Sequence, residues 1–186
     1  LDSLPSGERR RLEEHCRDYL TFRREVSAFL AKHINTVCTR TCFRSRLSAC
    51  CSREGIVTFF ADVVVNALHA SCRRIENLQN VLSGPANGFK CIYLGPEGCL
   101  WTIKPLVCEM FLCDRAQEEI FGPAPDLRGQ WKRLRAAELR FRWPDRPVLY
   151  DDLETIFLQA GLQSPLMYLH NSPGLLRVKQ RAALVE

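Results

Sequence analysis

The sequence predicts a single, mainly helical α+β domain with one small hairpin and a cysteine-rich region, and three observations carry that expectation. Apolar residues recur at helical spacing through long stretches of the chain. CIYL and CLWTI flank the turn-forming residues GPEG at 95–98. Eight of the ten cysteines fall into two groups, Cys38 to Cys51 and Cys91 to Cys113. A chain of 186 residues suits one domain, and one of that size buries a sizeable core without crosslinks. The cysteines are therefore not needed merely to make it fold. Within the single domain, 1–186, we distinguish an N-terminal helix over 8–34, a cysteine-cluster region over 38–113 and a helical support region over 126–186.

In the first helix Leu12, Cys16, Tyr19, Val26, Phe29, Leu30 and Ile34 form the apolar stripe, arginines fall mainly elsewhere, and Ser6 is the expected N-cap. GIVTF at 55–59 reads as a short extended piece. A second helix is expected from Phe60 to Leu82, with a stripe through Val63, Val64, Ala67, Leu68, Cys72, Ile75 and Leu78, stopped by Gly84 and Pro85. The hairpin follows with a four-residue loop, and Pro105 fits the first turn of a short helix. FGPAPD at 121–126 reads as the nearest thing to a linker. Leu127, Trp131, Leu134, Ala137 and Phe141 line a helix that ends before Pro144. In DDLETIFLQAG, Asp151 and Glu154 have capping-box spacing and Gly161 closes the helix. NSPG, at 171–174, favours a final hairpin.

Apolar residues at 46% and charged residues at 25% match an ordinary globular protein. The longest apolar stretch, IVTFFADVVVNAL, is broken by Asp62 and Asn66 and falls short of the roughly 20 residues that cross a bilayer. No membrane partner is expected. No basic segment followed by an apolar run resembles a signal peptide, so the cytoplasm is the expected location. A net charge of +5 is a weak pointer to nucleic acid.

The cysteines arrive as short-range pairs: Cys38 with Cys42, Cys50 with Cys51, Cys91 with Cys99 across the hairpin, and Cys108 with Cys113. Two sulfurs from one tight loop meet the same metal at little cost in loop entropy, which is why thiolate sites are usually built this way. Disulfides and unliganded core thiols are the alternatives. Adjacent Cys50 and Cys51 strain against bridging each other, and disulfide frameworks are more typical of small secreted domains, so spacing favours metal. An all-sulfur set suits zinc or an iron–sulfur cluster and argues against magnesium or calcium. Four thiolates on a divalent ion leave an excess of negative charge, and Arg44, Arg46, Arg53, Lys90 and Lys104 lie close enough in sequence to offset it; the equal alternative is that they are simply solvated loop charges.

Paired cysteines ending in Cys50-Cys51, then CIYLGPEGC, then KPLVCEMFLC, resemble the zinc- or iron-chelating cysteine-cluster proteins often called YkgJ-like. The likeness runs from Cys38 to Cys113. It departs from the family pattern in the long gap between Cys42 and Cys50, in Lys104 where arginine is usual, and in Glu109 where a basic residue is common. It implies metal binding through Cys38, Cys42, Cys50, Cys51, Cys91, Cys99, Cys108 and Cys113, with no established reaction.

Other features read as ordinary. Cys16 and Cys72 lie on apolar stripes and serve as small hydrophobes; His69 and Cys72, one helical turn apart, read as packing before chelation. His15, His33 and His170 stand alone. The basic residues around Trp131 and Trp143 read as a solvated helix face, and the Asp151-Asp152 pair as helix capping. No GxSxG, Walker loop or GxGxxG is present, and no catalytic residue is assigned. The expected function is a cysteine-cluster protein holding zinc or an iron–sulfur cluster in a structural or electron-transfer role. The alternatives are a metal-dependent enzyme with an open coordination position and a basic zinc module for nucleic acid. The expected partner is a metal ion, with a protein partner left open.

Overall fold

The computed structural model describes residues 1, 4–37, 51–52, 58–84, 91–95, 98–141 and 152–167. Helix α1 (Ser6–His33) supplies the longest wall of the core. Leu12, Cys16, Tyr19, Val26, Phe29, Leu30 and Ile34 are all buried, as the 3.6-residue period requires. Its cap differs from expectation. Pro5 takes the N-cap position, with its carbonyl accepting from Glu8 and Arg9 N–H groups at 3.0 and 3.1 Å, and Ser6 is already helical.

The single helix expected over 60–82 is two: α2 (Phe60–His69) and α3 (Cys72–Leu82). Ala70 and Ser71 between them are both extended, with ψ of 148° and 153°. Serine is favoured at an N-cap, where α3 uses Ser71, and that preference marks the break. The buried face of α2 is therefore Phe60, Ala61, Asp62, Val64, Val65 and Asn66, while Val63, Ala67 and Cys72 of the expected stripe are exposed. His69 and Cys72 end up on different helices.

Strands β1 (Leu94–Gly95) and β2 (Gly98–Cys99) pair antiparallel with Leu94 opposite Cys99 and Gly95 opposite Gly98. The register puts both glycines of GPEG on the strands, so the loop is shorter than expected. The Tyr93 and Trp101 rings meet edge to face at 5.3 Å across the ends of the hairpin. Pro105 is the N-cap of α4 (Leu106–Met110). Next come α5 (Asp114–Phe121), α6 (Pro125–Glu138) and a 3₁₀ turn over Leu139–Phe141. Helices α5 and α6 pack on each other, which makes the presumed linker a tight turn within a helix pair. Helix α7 is Leu153–Gln159. Gly161 closes it at φ 74°, with Leu162 N–H reaching the Phe157 carbonyl at 2.9 Å.

Helices α4, α6 and α7 pack on α1, and α7 also packs on α2. Aromatic rings fix these contacts. Phe141 lies 5.2 Å from Phe22 and 5.5 Å from Tyr19, Trp131 stacks on Phe29 at 5.7 Å, and Phe60 meets Phe157 at 5.1 Å. Two residues read as ordinary are paired here instead. His15 Nε2 lies 2.7 Å from an Asp152 carboxylate oxygen, tying α1 to the start of α7, and Asp152, the N-cap residue, makes no side-chain cap bond. Asp151, the NSPG segment, most of GIVTF, Trp143 and His170 lie outside the described residues. Among the described residues, no helix is long and apolar enough to cross a membrane.

The two bystander cysteines occupy opposite environments. Cys16 is fully buried and burial pushes its thiol up to about 11, whereas Cys72 is exposed. In native protein, a thiol reagent is expected to modify Cys72 rapidly and Cys16 only on unfolding. Cys16→Ala should cost about 1 kcal/mol from lost packing, measurable in denaturant, and Cys72→Ala close to nothing.

Candidate metal centre

The segment that carries Cys99 and Cys108 is fastened to α1 and α2 by buried polar groups that sequence reasoning did not assign. Asn66 holds Ile103 from both sides: its Oδ1 accepts the Ile103 N–H at 3.0 Å and its Nδ2 donates to the Ile103 carbonyl at 2.6 Å. Asp62 accepts the Leu106 N–H at 3.1 Å through one carboxylate oxygen and the Phe59 N–H at 3.0 Å through the other. It thus caps the first turn of α4 while steadying the start of α2. Arg23 lies in the apolar stripe of α1, four residues after Tyr19. Its Nε and a terminal nitrogen donate to Glu109 at 2.9 and 2.5 Å, and it also donates to the Tyr19 hydroxyl and the Lys104 carbonyl. Glu109 is thereby the buried counter-ion of Arg23.

Burial, outweighing the two N–H donors and the Arg23 charge, pushes the Asp62 carboxyl up to about 6. The folded state therefore holds this proton more tightly than the unfolded chain. The resulting stabilisation is fully present below pH 3.8 and is lost as pH rises through about 6. Relative to Asp62→Asn, the natural protein should lose on the order of 2 kcal/mol between pH 4 and pH 7, read from denaturant midpoints at each pH.

The fold joins the two cysteine groups through the backbone. Cys91 donates its backbone N–H to the Cys51 carbonyl at 2.9 Å, which joins the end of the first cysteine group to the start of the second. Burial raises the Cys91 thiol, and the charge of Cys108 adds to that shift; burial likewise raises Cys99, with Cys91 and Cys108 contributing. Cys91, Cys99 and Cys108 therefore act on one another electrostatically. Backbone N–H groups of Tyr93 and Leu94 bond to the Cys91 sulfur and favour its thiolate, as the Trp101 N–H does for Cys99. The Lys104 ammonium favours the Cys99 thiolate as well. A local turn accompanies this arrangement: the Leu94 N–H also closes on the Cys91 carbonyl at 3.0 Å. Donors of this kind offset the negative charge of thiolates that bind metal.

Cys108 sits on α4 and Cys113 is the N-cap of α5; among the described contacts none joins Cys113 to the trio. Among the described residues no disulfide joins two cysteines. Among the described residues, no three or more His, Cys, Asp or Glu side chains close around one point as an ion would require. Cys38, Cys42 and Cys50, with Arg44, Arg46, Arg53 and Lys90, lie outside the described residues. The chemistry of these side chains is that of soft sulfur donors, which suit a thiophilic metal: thiols lie beside the hairpin and on the following helix, with N–H donors to two of the sulfurs and a lysine acting on one. Of the basic residues around Trp131, Arg135, although exposed, donates to the Met110 carbonyl at 3.0 Å and pairs with Glu138 at 3.3 Å. Comparison of the chain with family models, with curated proteins and with solved structures gives no match.

Proposed function

We propose that this protein is a metal-binding cysteine-cluster protein of the YkgJ-like type, holding zinc or an iron–sulfur cluster in a structural or electron-transfer role. The observation that carries the reading is the backbone bond from Cys91 to Cys51, which joins the two cysteine groups, beside the mutual charge effects of Cys91, Cys99 and Cys108. Cys38, Cys42, Cys50 and Cys113 complete the proposed ligand set on sequence spacing. When bound, the metal would crosslink the two cysteine groups, or as an iron–sulfur cluster would accept and release an electron. The chain's own part is to join the two cysteine groups and to offset part of the cost that burial puts on thiolate charge. Lys104 supplies positive charge, the N–H donors supply dipoles, and Asn66, Asp62 and Arg23 fix the backbone on which Cys99 and Cys108 ride.

Anaerobic purification with elemental analysis and an absorption spectrum tests this reading. A brown protein with a broad band near about 400 nm identifies an iron–sulfur cluster, and a colourless one with stoichiometric zinc identifies a zinc site. Protein that carries neither metal after anaerobic isolation and takes up neither on reconstitution would sink the proposal.

A further inference from the structure

A second feature lies on the other side of the Arg23–Glu109 pair. Helix α1, the C-terminal end of α2 and the Thr102–Ile103 segment enclose a groove of about 440 Å³, within the size range of small-molecule sites. Its charges are unevenly satisfied. Glu13, at one end, is engaged by Arg9 at 3.4 Å, and Glu109, at the base, is neutralised by Arg23 at 2.5 Å. Arg17 and Arg24 also line the groove, and neither has an acidic partner among the described residues. Arg24 gives one N–H to the Thr21 hydroxyl at 2.9 Å, which leaves most of its fork for a ligand. The seven-residue interval places Arg17 and Arg24 on one face of α1, two turns apart. Between them, Leu20 packs against the core, as Ile103 does from the opposite wall.

We propose that this groove binds a small amphiphilic monocarboxylate, its carboxylate held by Arg17 and Arg24 and its short apolar body lying on Leu20 and Ile103. Charge favours a monoanion. With the Arg23–Glu109 pair neutral and Glu13 included, Arg17 and Arg24, which have no acidic partner among the described residues, leave one net positive charge in the lining. Geometry favours a carboxylate, since the planar guanidinium fork matches its two oxygens. His69 lines the same groove, where Glu13 and Arg24 both act on it, and its imidazole offers a further hydrogen bond to the ligand. The proposal stands independently of the metal reading, because none of the groove's residues is a proposed ligand.

Calorimetric titration of the full chain as isolated, with hexanoate, acetate, 1-hexanol and inorganic phosphate as separate probes, tests it. Hexanoate should bind saturably and at least about tenfold more tightly than any of the other three, because it alone combines the charge with the apolar body. Arg17→Ala and Arg24→Ala should each weaken hexanoate about tenfold, Arg24→Lys should weaken it less than Arg24→Ala, and Arg10→Ala, an exposed site elsewhere on α1, should leave it unchanged. All these residues are on the surface, so circular dichroism should show each variant folded. Hexanol or phosphate binding as tightly as hexanoate, unchanged affinity in both alanine variants, or no saturable heat with hexanoate up to roughly 10 mM would each overturn the proposal.

Discussion

Arg23→Met is expected to destabilise the fold by about 3–5 kcal/mol, more than any other single change on α1. Both partners of the Arg23–Glu109 pair are almost fully removed from water, at 3% and 5% exposure. Removing the guanidinium strands the Glu109 carboxylate in the core and takes the donor from the Tyr19 hydroxyl and the Lys104 carbonyl. Adding Glu109→Leu should recover much of the loss, because an apolar pair of similar volume carries no desolvation penalty. Recovery should stop short of complete, since the Tyr19 and Lys104 oxygens still lack their donor. Urea unfolding of the two single variants and the double measures the coupling. A value of about 2 kcal/mol or more is expected, and strict additivity would mean that the pair does not act as a unit.

Cys99→Ser and Cys108→Ser are expected to reduce metal affinity by more than the 10–100-fold typical of changes to groups that merely support a ligand, because each removes a soft thiolate itself. Both variants should also lose stability in proportion to the metal they fail to hold. Cys16→Ala and Cys72→Ala should keep full metal content, the first because it is enclosed in the helical core and the second because it projects from α3. Metal-to-protein ratios on the four variants decide the assignment. Loss of metal in Cys72→Ala with full retention in Cys99→Ser would transfer the site to the neighbourhood of His69 and Cys72.

The apolar stripe of α1 was legible because seven buried positions repeat with one period, and local periodicity needs no tertiary information. The hairpin was legible from GPEG between two apolar runs. Arg23 was not, because an arginine among five others on the same helix looks like part of the polar face. Its place on the buried stripe, four residues after Tyr19 and three before Val26, was the signal available. Asp62 and Asn66 were visible as interruptions of an apolar run. Their spacing of four puts them on one helix face, which is the mark of paired buried polar groups and not of a weakened apolar segment. The break at Ala70 and Ser71 escaped notice because neither residue forbids helix, so apolar spacing carried the expectation across it. His15 and Asp152 are 137 residues apart, and no local pattern announces a contact of that range. Of the candidate site, the influence of Cys91 and Cys108 on Cys99 could be anticipated from spacing, but the register sets Cys99 opposite Leu94 and not Cys91, and the backbone donors to sulfur follow from turn geometry that residue types alone do not specify.

Native mass spectrometry of freshly and anaerobically isolated protein, repeated after denaturation without reductant, tests metal binding most directly. The native mass should exceed that of the chain by the mass of bound zinc or of an iron–sulfur cluster, and the denatured mass should fall to that of the fully reduced, metal-free chain. A metal-free native protein lighter than the reduced chain by about 2 Da for each disulfide would contradict it.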